Sequence, residues 1–210
     1  MLFRSTIVVK TNERRLYLIL DSGHAMRYPV GVGKSGKQWA GTTRIDGKYR
    51  NPAWSPPAEV KRDKPSIPNV IAGGSPANPM GVAAMTLAGG EYAIHGTNAT
   101  FGIGLRVSSG CVRLRADDIK YLFDHVPVGT RVQFVNQPVK TTVEPDGGRY
   151  MEVHEPLSRT EEEFNSTASV PLPMTPATTR FIAHADSDSN VVKQVLEQRT
   201  GIPTRLNPEA

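Results

Sequence analysis

Residues 101–114 read FGIGLRVSSGCVRL and contain Cys111, the only cysteine in the chain. Sixteen residues before it, His95 lies in the run IHGTN at positions 94–98. One cysteine cannot form an internal disulfide, and it cannot hold a zinc ion by itself. Because Cys111 and His95 each stand beside a glycine, in a chain with few residues of either type, we interpret them as a nucleophile and its general base.

The composition is typical of a globular protein rich in strands and turns. The 210 residues fit one domain of ordinary size with an appendage, and 38% of them are hydrophobic. The 19 glycines and 17 prolines, with few long helical patterns, favour a β-rich fold. The net charge of +5 is compatible with an anionic environment such as a cell wall or a membrane surface. The basic residues are scattered and not interleaved with aromatic ones, which argues against nucleic-acid binding.

Hydrophobic patterns divide the chain near Asn136, giving a first domain over 5–136 and a C-terminal extension over 137–210. In the first domain one helix is predicted at 116–125, because Ile119, Leu122 and Phe123 recur at helical spacing. The predicted strands of this domain are 7–9 and 16–20, which form a hairpin, followed by 26–32, 83–87, 92–95 and 131–135.

A proline-rich segment interrupts these patterns between Thr43 and Gly81, where seven prolines occur. So many prolines cannot all lie inside regular elements. A connection as long as 51–79 is usually a binding loop or lid, with disorder as the main alternative. Trp54 within it favours a packed or substrate-lining loop.

The C-terminal extension has its own signals. Strands at 141–144 and 149–153 flank the turn sequence PDGG and predict a hairpin. Ser158–Glu161 has the form of a capping box that opens a short helix. Residues 165–179 are typical of an extended linker, and a further helix is predicted at 190–200.

The setting of the cysteine and the histidine supports catalysis. His95 ends a predicted strand, so it would lie at the rim of a sheet, and Gly110 allows the backbone to approach a substrate carbonyl closely. The backbone N–H groups around Gly110 and Cys111 could stabilise an oxyanion. Arg113 would share the face of Cys111 in an extended segment and could bind a substrate carboxylate.

Other interpretations of these residues stay open at this point. A free cysteine is more often a buried small hydrophobe, and Arg106 and Arg113 could be ordinary surface arginines. The sequence predicts no metal site, since no cluster of His, Cys, Asp or Glu has ligand spacing. The glycines at 31–33 and 102–104 form no phosphate loop.

The motifs IHGTN at 94–98, FGIGLRVSSGCVRL at 101–114 and NPMG at 78–81 resemble the L,D-transpeptidases of peptidoglycan. The segments VGTRVQ at 128–133, EPDG at 144–147 and EVHEPLS at 152–158 are similar to the C-terminal extension of the Gram-negative enzymes that attach Braun lipoprotein to the cell wall. The resemblance covers nearly the whole chain. It implies a mainly β, β-sandwich-like catalytic domain with one short helix after the cysteine motif. The implied C-terminal extension consists of a hairpin and short helices.

The resemblance also implies roles for individual residues. Cys111 would be the nucleophile, His95 the general base and acid, and the carbonyl of Gly96 would orient the imidazole. The backbone N–H groups of Ser109, Gly110 and Cys111 would form the oxyanion hole. The residues expected to contact substrate are Arg113, Ser108, Thr97, Arg106 and Tyr92.

The implied reaction needs no cofactor. Cys111 would attack the meso-diaminopimelate carbonyl of a stem tetrapeptide, release D-alanine and hold the acyl group as a thioester. The acceptor would be the C-terminal lysine of Braun lipoprotein or another diaminopimelate. Two alternatives remain: a hydrolase that uses the same thioester, and a non-catalytic cell-wall-binding domain that a carbapenem would not acylate.

Two departures from the family pattern are visible. Many members have a histidine where this chain has Ser109, although the lipoprotein-attaching subgroup can have Ser or Gln there. Relatives also carry a signal peptide and a sugar-binding module before the catalytic domain. Neither is recognisable here, since Met1–Ser5 is too short for a signal peptide. No stretch approaches the ~20 apolar residues of a membrane helix. We therefore expect a trimmed form of a periplasmic protein with a role in cell-wall biogenesis and cell shape.

Overall fold

The computed structural model describes residues 6–20, 23–34, 37, 39–156 and 170–208. The chain forms two compact units, Met1–Val135 and Asn136–Ala210. Among the described residues, no helix has the length and apolar character needed to cross a membrane.

The first unit is built mainly from short strands. In its described part the strands are β1 (Thr6–Lys10), β2 (Arg15–Ile19), β3 (Ala25–Pro29), β4 (Val32–Gly33), β5 (Gly41–Arg50), β6 (Ala83–Leu87), β7 (Ala93–Gly96), β8 (Arg106–Ser108), β9 (Val112–Leu114) and β10 (Arg131–Val135). The helices are α1 (Ala58–Asp63) and α2 (Ala116–His125), and Thr100–Gly102 form a 3₁₀ turn.

Eight of these strands form one sheet in the order β3-β2-β1-β10-β5-β6-β7-β9, while β4 and β8 form a separate parallel pair. In the large sheet β1 pairs with β10, and β7 with β9, in parallel. The register of β5 against β6 shifts between Ile45 and Gly47, and a shift of this kind bends a strand. Side chains from both halves of the sheet belong to one buried cluster, which is the packing of a sandwich.

The core follows from the alternation of apolar and polar residues. Ile7 and Val9 on β1 and Leu16 and Leu18 on β2 are buried, while the residues between them are partly exposed. Helix α2 packs against β6 and β7 with its apolar face. The hairpin and the helix predicted from sequence are therefore confirmed, the helix to the residue.

The sequence-based predictions for this unit were wrong or incomplete in several places, since α1, β8 and β9 were not predicted. The strand predicted at 26–32 is split into β3 and β4, which pair in different sheets, and Val30–Gly31 lie between them. Strand β5 was missed because its sequence, GTTRIDGKYR, is polar and interrupted by glycine. It is held in the sheet by pairing on both sides, with β10 and with β6.

The second unit is a small sheet with helices. The antiparallel strands β11 (Val139–Val143), β12 (Arg149–Val153) and β13 (Thr204–Arg205) pair in that order. Helices α3 (Pro176–Ile182) and α4 (Ser189–Gln198) contribute to a buried cluster. The side chain of Thr175 caps α3, and that of Asp188 caps α4.

The hairpin and the last helix predicted for this unit are confirmed, with shifts of one or two residues at their ends. The linker predicted at 165–179 is wrong for 176–179, because the Thr175 cap and Pro176 begin a helix there. The capping-box helix predicted at Ser158–Glu161 lies outside the described residues.

Candidate active site

The parallel pairing of β7 with β9 places the predicted catalytic residues on one face of the sheet. His95 lies opposite Arg113 in the register, and Ile94 lies opposite Val112. Ile94 and Val112 are buried in the core, so His95 and Arg113 face the other way. Cys111 comes directly before β9 and by the same alternation shares the face of His95 and Arg113.

His95 is held as a neutral imidazole with a defined tautomer. Its Nδ1 lies 2.5 Å from the carbonyl oxygen of Gly96, and because a carbonyl only accepts, Nδ1 carries the hydrogen. The other ring nitrogen, Nε2, is then free of hydrogen and can accept a proton. Burial lowers the pKa of His95 from 6.5 to about 4, and the charge of Arg113 acts in the same direction. Hydrogen bonds with the backbone of Gly96 and Met80 oppose this shift.

Cys111 is partly buried, and its burial raises the pKa of the thiol. A hydrogen bond with the backbone of Ala93 and the charge of Arg113 act the other way and favour the thiolate. The contact with Ala93 agrees with the register, since Ala93 precedes Ile94 as Cys111 precedes Val112. The raised pKa of Cys111 and the lowered pKa of His95 favour a neutral thiol and a neutral imidazole on the same face of the sheet. A thiolate–imidazolium ion pair is disfavoured in the resting protein.

A tight turn at Ser108–Cys111 carries the thiol. The Ser108 hydroxyl donates to the Cys111 carbonyl at 2.5 Å and accepts from the Gly110 N–H at 3.2 Å. Gly110 has a φ of +118°, and a Cβ there would lie 2.2 Å from Cε1 of Tyr92. Glycine is therefore required at position 110 by both backbone conformation and space.

These contacts show what some of the residues expected at the site bind in the resting protein. The Gly110 N–H already bonds to Ser108, so it is not a free oxyanion donor in the resting protein. Ser108 is 1% exposed, and its hydroxyl holds the turn. Thr97 is also buried, and its hydroxyl accepts from the Ala99 N–H.

The remaining residues expected to bind substrate lie around the turn. Tyr92 packs against Gly110 and stacks on Trp39 with ring centroids 5.8 Å apart. Arg106 begins β8, the strand that pairs with β4. The Nε of Arg113 is buried without a hydrogen-bond partner among the described residues, and burial lowers the pKa of its guanidinium.

One cluster at the site was not predicted from the sequence. The Ser109 hydroxyl donates to Glu59 Oε1 at 2.5 Å, and Lys37 Nζ lies 2.9 Å from Glu59 Oε2. Glu59 belongs to α1, which is 50 residues away in sequence. No local pattern could have signalled this contact, because it depends on how the proline-rich segment folds back.

The end of the proline-rich segment is fixed by Asn78, which is 2% exposed. Its amide nitrogen donates to the carbonyl oxygens of Pro52, Ile71 and Ala72, and its Oδ1 accepts from the Met80 N–H. These bonds tie residues across the segment to one another.

In the part of the chain that the structure describes, no group of three or more His, Cys, Asp or Glu side chains could hold a metal ion.

Comparison with known proteins gives matches along the whole chain. Residues 4–134 match the L,D-transpeptidase catalytic domain, and residues 138–206 match the L,D-transpeptidase C-terminal domain. The chain is 49% identical to the probable L,D-transpeptidase ErfK/SrfK of Salmonella typhimurium, over 97% of this chain and 68% of that protein. It is 46% identical to the probable L,D-transpeptidase YbiS of Escherichia coli, over 96% of this chain and 67% of that protein.

Among solved structures, an L,D-transpeptidase from Mycobacterium smegmatis superposes with a TM-score of 0.51 at 19% identity. The match covers 63% of this chain and 58% of that one. At this identity the comparison speaks for the fold alone. It confirms the mainly β, sandwich-like fold class predicted from the sequence.

Proposed function

The chain belongs to the L,D-transpeptidase family, and we propose that it acts through a cysteine nucleophile, Cys111, with His95 as general base and acid. The observation that supports this most strongly is the pairing of β7 with β9. It puts a neutral imidazole, with Nδ1–H bound to the Gly96 carbonyl, on the same face as the only thiol of the chain. A neutral base and a protonated nucleophile on one face of the sheet are the starting state that general-base catalysis needs.

In the first step the sulfur attacks the carbonyl that joins meso-diaminopimelate to D-alanine in a stem tetrapeptide. Nε2 of His95 takes the thiol proton as the carbon–sulfur bond forms. The imidazolium then gives this proton to the nitrogen of D-alanine while the carbon–nitrogen bond breaks. D-Alanine leaves, and the rest of the peptide is bound to Cys111 as a thioester.

In the second step an amine attacks the thioester, and His95 takes a proton from the attacking nitrogen. The carbon–sulfur bond breaks, and the proton returns from His95 to the sulfur. We propose the C-terminal lysine of Braun lipoprotein as the acceptor, with the side chain of a second diaminopimelate as the other amine of suitable chemistry. The likeness to relatives named ErfK/SrfK and YbiS supports a cell-wall role in the periplasm.

Backbone donors and one arginine would assist both steps. Since the Gly110 N–H is bonded to Ser108, the Ser109 and Cys111 N–H groups are the better candidates for the oxyanion hole. The guanidinium of Arg113, with its buried Nε unpaired, would bind a substrate carboxylate on the face that carries Cys111.

Two measurements test the proposal. Intact-protein mass spectrometry with a carbapenem should give a covalent adduct on the native protein and none on Cys111→Ser, which keeps the size of the side chain. Absence of an adduct on the native protein would favour a non-catalytic wall-binding domain.

The second measurement separates transfer from hydrolysis. The protein is incubated with a tetrapeptide muropeptide and a peptide that ends in the lysine of the lipoprotein. We expect D-alanine release together with a cross-linked product. Free tripeptide without any cross-linked product would show a hydrolase that uses the same thioester.

A further inference from the structure

An ion pair lies beside the turn that carries the nucleophile. One carboxylate oxygen of Glu59 accepts a hydrogen bond from the Ser109 hydroxyl at 2.5 Å, and the other lies 2.9 Å from the Lys37 ammonium. The Glu59 side chain is 24% exposed and that of Lys37 is 43% exposed. Both charges are therefore accessible from solvent, and Ser109 connects them to the residues that surround Cys111.

Stability alone does not explain this arrangement. An ion pair open to solvent contributes little to folding, because water screens the charges and two long side chains must be ordered. The pair is also not needed to hold the turn, since Ser108 already does so from inside the protein. Hydrogen bonds from Ser109 and Lys37 lower the pKa of Glu59, so its carboxylate stays charged near neutral pH.

The position of the pair fits the length of the proposed donor. Ser109 precedes Cys111 by two residues, a backbone span of at most about 7 Å. In diaminopimelate, about five carbon–carbon bonds separate the attacked carbonyl carbon from the far α-carbon, an extended length of about 6 Å. The extended side chain is thus about as long as the largest possible backbone span between Ser109 and Cys111.

We propose that Glu59 and Lys37 form a subsite for the charged amino-acid end of the donor's diaminopimelyl side chain. Glu59 binds its ammonium group, and Lys37 binds its carboxylate. This inference rests on the proposed function, because it takes the donor from there. The ion pair carries one charge of each sign, and so does the amino-acid end of the ligand. When the ligand binds, the contact between Glu59 and Lys37 is replaced by two charge-assisted hydrogen bonds to the ligand. Because the pair is exposed, opening it costs little.

The test compares three tetrapeptide donors that differ at the third position. One contains meso-diaminopimelate, one has its far carboxylate converted to an amide, and one has lysine, which keeps the ammonium group but lacks the carboxylate. D-Alanine release is measured with enzyme in excess over donor and without added acceptor, so that little free donor is present to act as a second diaminopimelate. The proteins are the native chain, Lys37→Met, Glu59→Gln and a control, Asp124→Asn, which breaks an exposed ion pair with Arg50 elsewhere in the same unit.

We expect the native protein to favour the meso-diaminopimelate donor over its amide by about tenfold or more in kcat/KM, the usual worth of a charge-assisted hydrogen bond. Lys37→Met should bring this ratio close to one. Glu59→Gln keeps an oxygen for Ser109 but loses the charge, and it should lower kcat/KM for all three donors by about tenfold, mainly through KM. Asp124→Asn should behave as the native protein.

Alkylation of Cys111 by iodoacetamide, a small neutral reagent, separates recognition from positioning. If Glu59 and Lys37 bind the donor, alkylation rates of all four proteins should agree within about twofold. The inference is overturned if Lys37→Met retains the native preference for the charged donor. It is also overturned if alkylation falls in step with D-alanine release, since the pair would then only position the turn. If the native chain neither releases D-alanine nor forms a carbapenem adduct, the proposed function itself fails, and this inference fails with it.

Discussion

Acidification should destabilise the first unit through His95. The imidazole is 4% exposed, and its burial lowers its pKa from 6.5 to about 4 in the folded protein. Between these two pH values the unfolded chain binds a proton at His95 and the folded chain does not. Lowering the pH through this window therefore favours unfolding. The contribution of the neutral imidazole to the free energy of unfolding is complete above pH 6.5 and is lost as the pH approaches 4.

The size of the effect follows from the same two values. Each pH unit inside the window changes the free energy of unfolding by up to about 1.4 kcal/mol. Over the whole window the contribution of His95 amounts to about 3 kcal/mol, a substantial fraction of the stability of an ordinary domain.

Urea unfolding at pH 7, 6, 5 and 4 measures this contribution. The two tryptophans of the chain, Trp39 and Trp54, both belong to the first unit, so their fluorescence reports the unfolding of that unit. His95→Gln removes the titrating group, and all other groups are common to both proteins. The stability difference between native and variant should change by about 3 kcal/mol from pH 7 to pH 4. Parallel pH dependence of the two proteins would refute the conclusion that the resting imidazole is neutral and buried.

Three further predictions concern the turn and the thiol. Gly110→Ala forces a Cβ into Tyr92 at a φ of +118°, and it should lower the unfolding temperature and slow alkylation of Cys111 by about tenfold or more; an unchanged alkylation rate would mean that the turn adapts. Ser108→Ala removes both hydrogen bonds inside the turn and should cost about 1–3 kcal/mol in urea unfolding, whereas an unchanged midpoint would show that the turn holds without them. The thiolate is followed by its absorbance at 240 nm, as the difference between the native protein and Cys111→Ala during a pH titration. This difference should be absent at pH 7 and should rise only above the ordinary thiol pKa of about 8.5. A rise below pH 7 would indicate a resting ion pair.

The sequence was sufficient where structure depends on local pattern. The helix at 116–125 is set by apolar residues at helical spacing, and its bounds could be predicted because the residues that end it are adjacent in sequence. Strand β5 could not be predicted, because its ten residues carry little apolar alternation and are ordered by partners far away in the chain. The same holds for Glu59, whose role depends on a contact over 50 residues. Cys111 and His95 stood out because their glycine neighbours signal backbone demands at single positions.

In the reaction that we propose, the electrostatics of the site would favour transfer of the proton from His95 to the leaving group. Arg113 lowers the pKa of both Cys111 and His95, so it stabilises the thiolate but destabilises the imidazolium. The group that orients the imidazole is the uncharged Gly96 carbonyl, which gives less support to an imidazolium than a carboxylate would. In the proposed reaction, a proton taken up by His95 would therefore be held weakly and would readily pass to the amine of D-alanine. The site thus combines a base that is neutral at rest with an acid that is strong once formed, and both properties follow from the burial of one histidine next to one arginine.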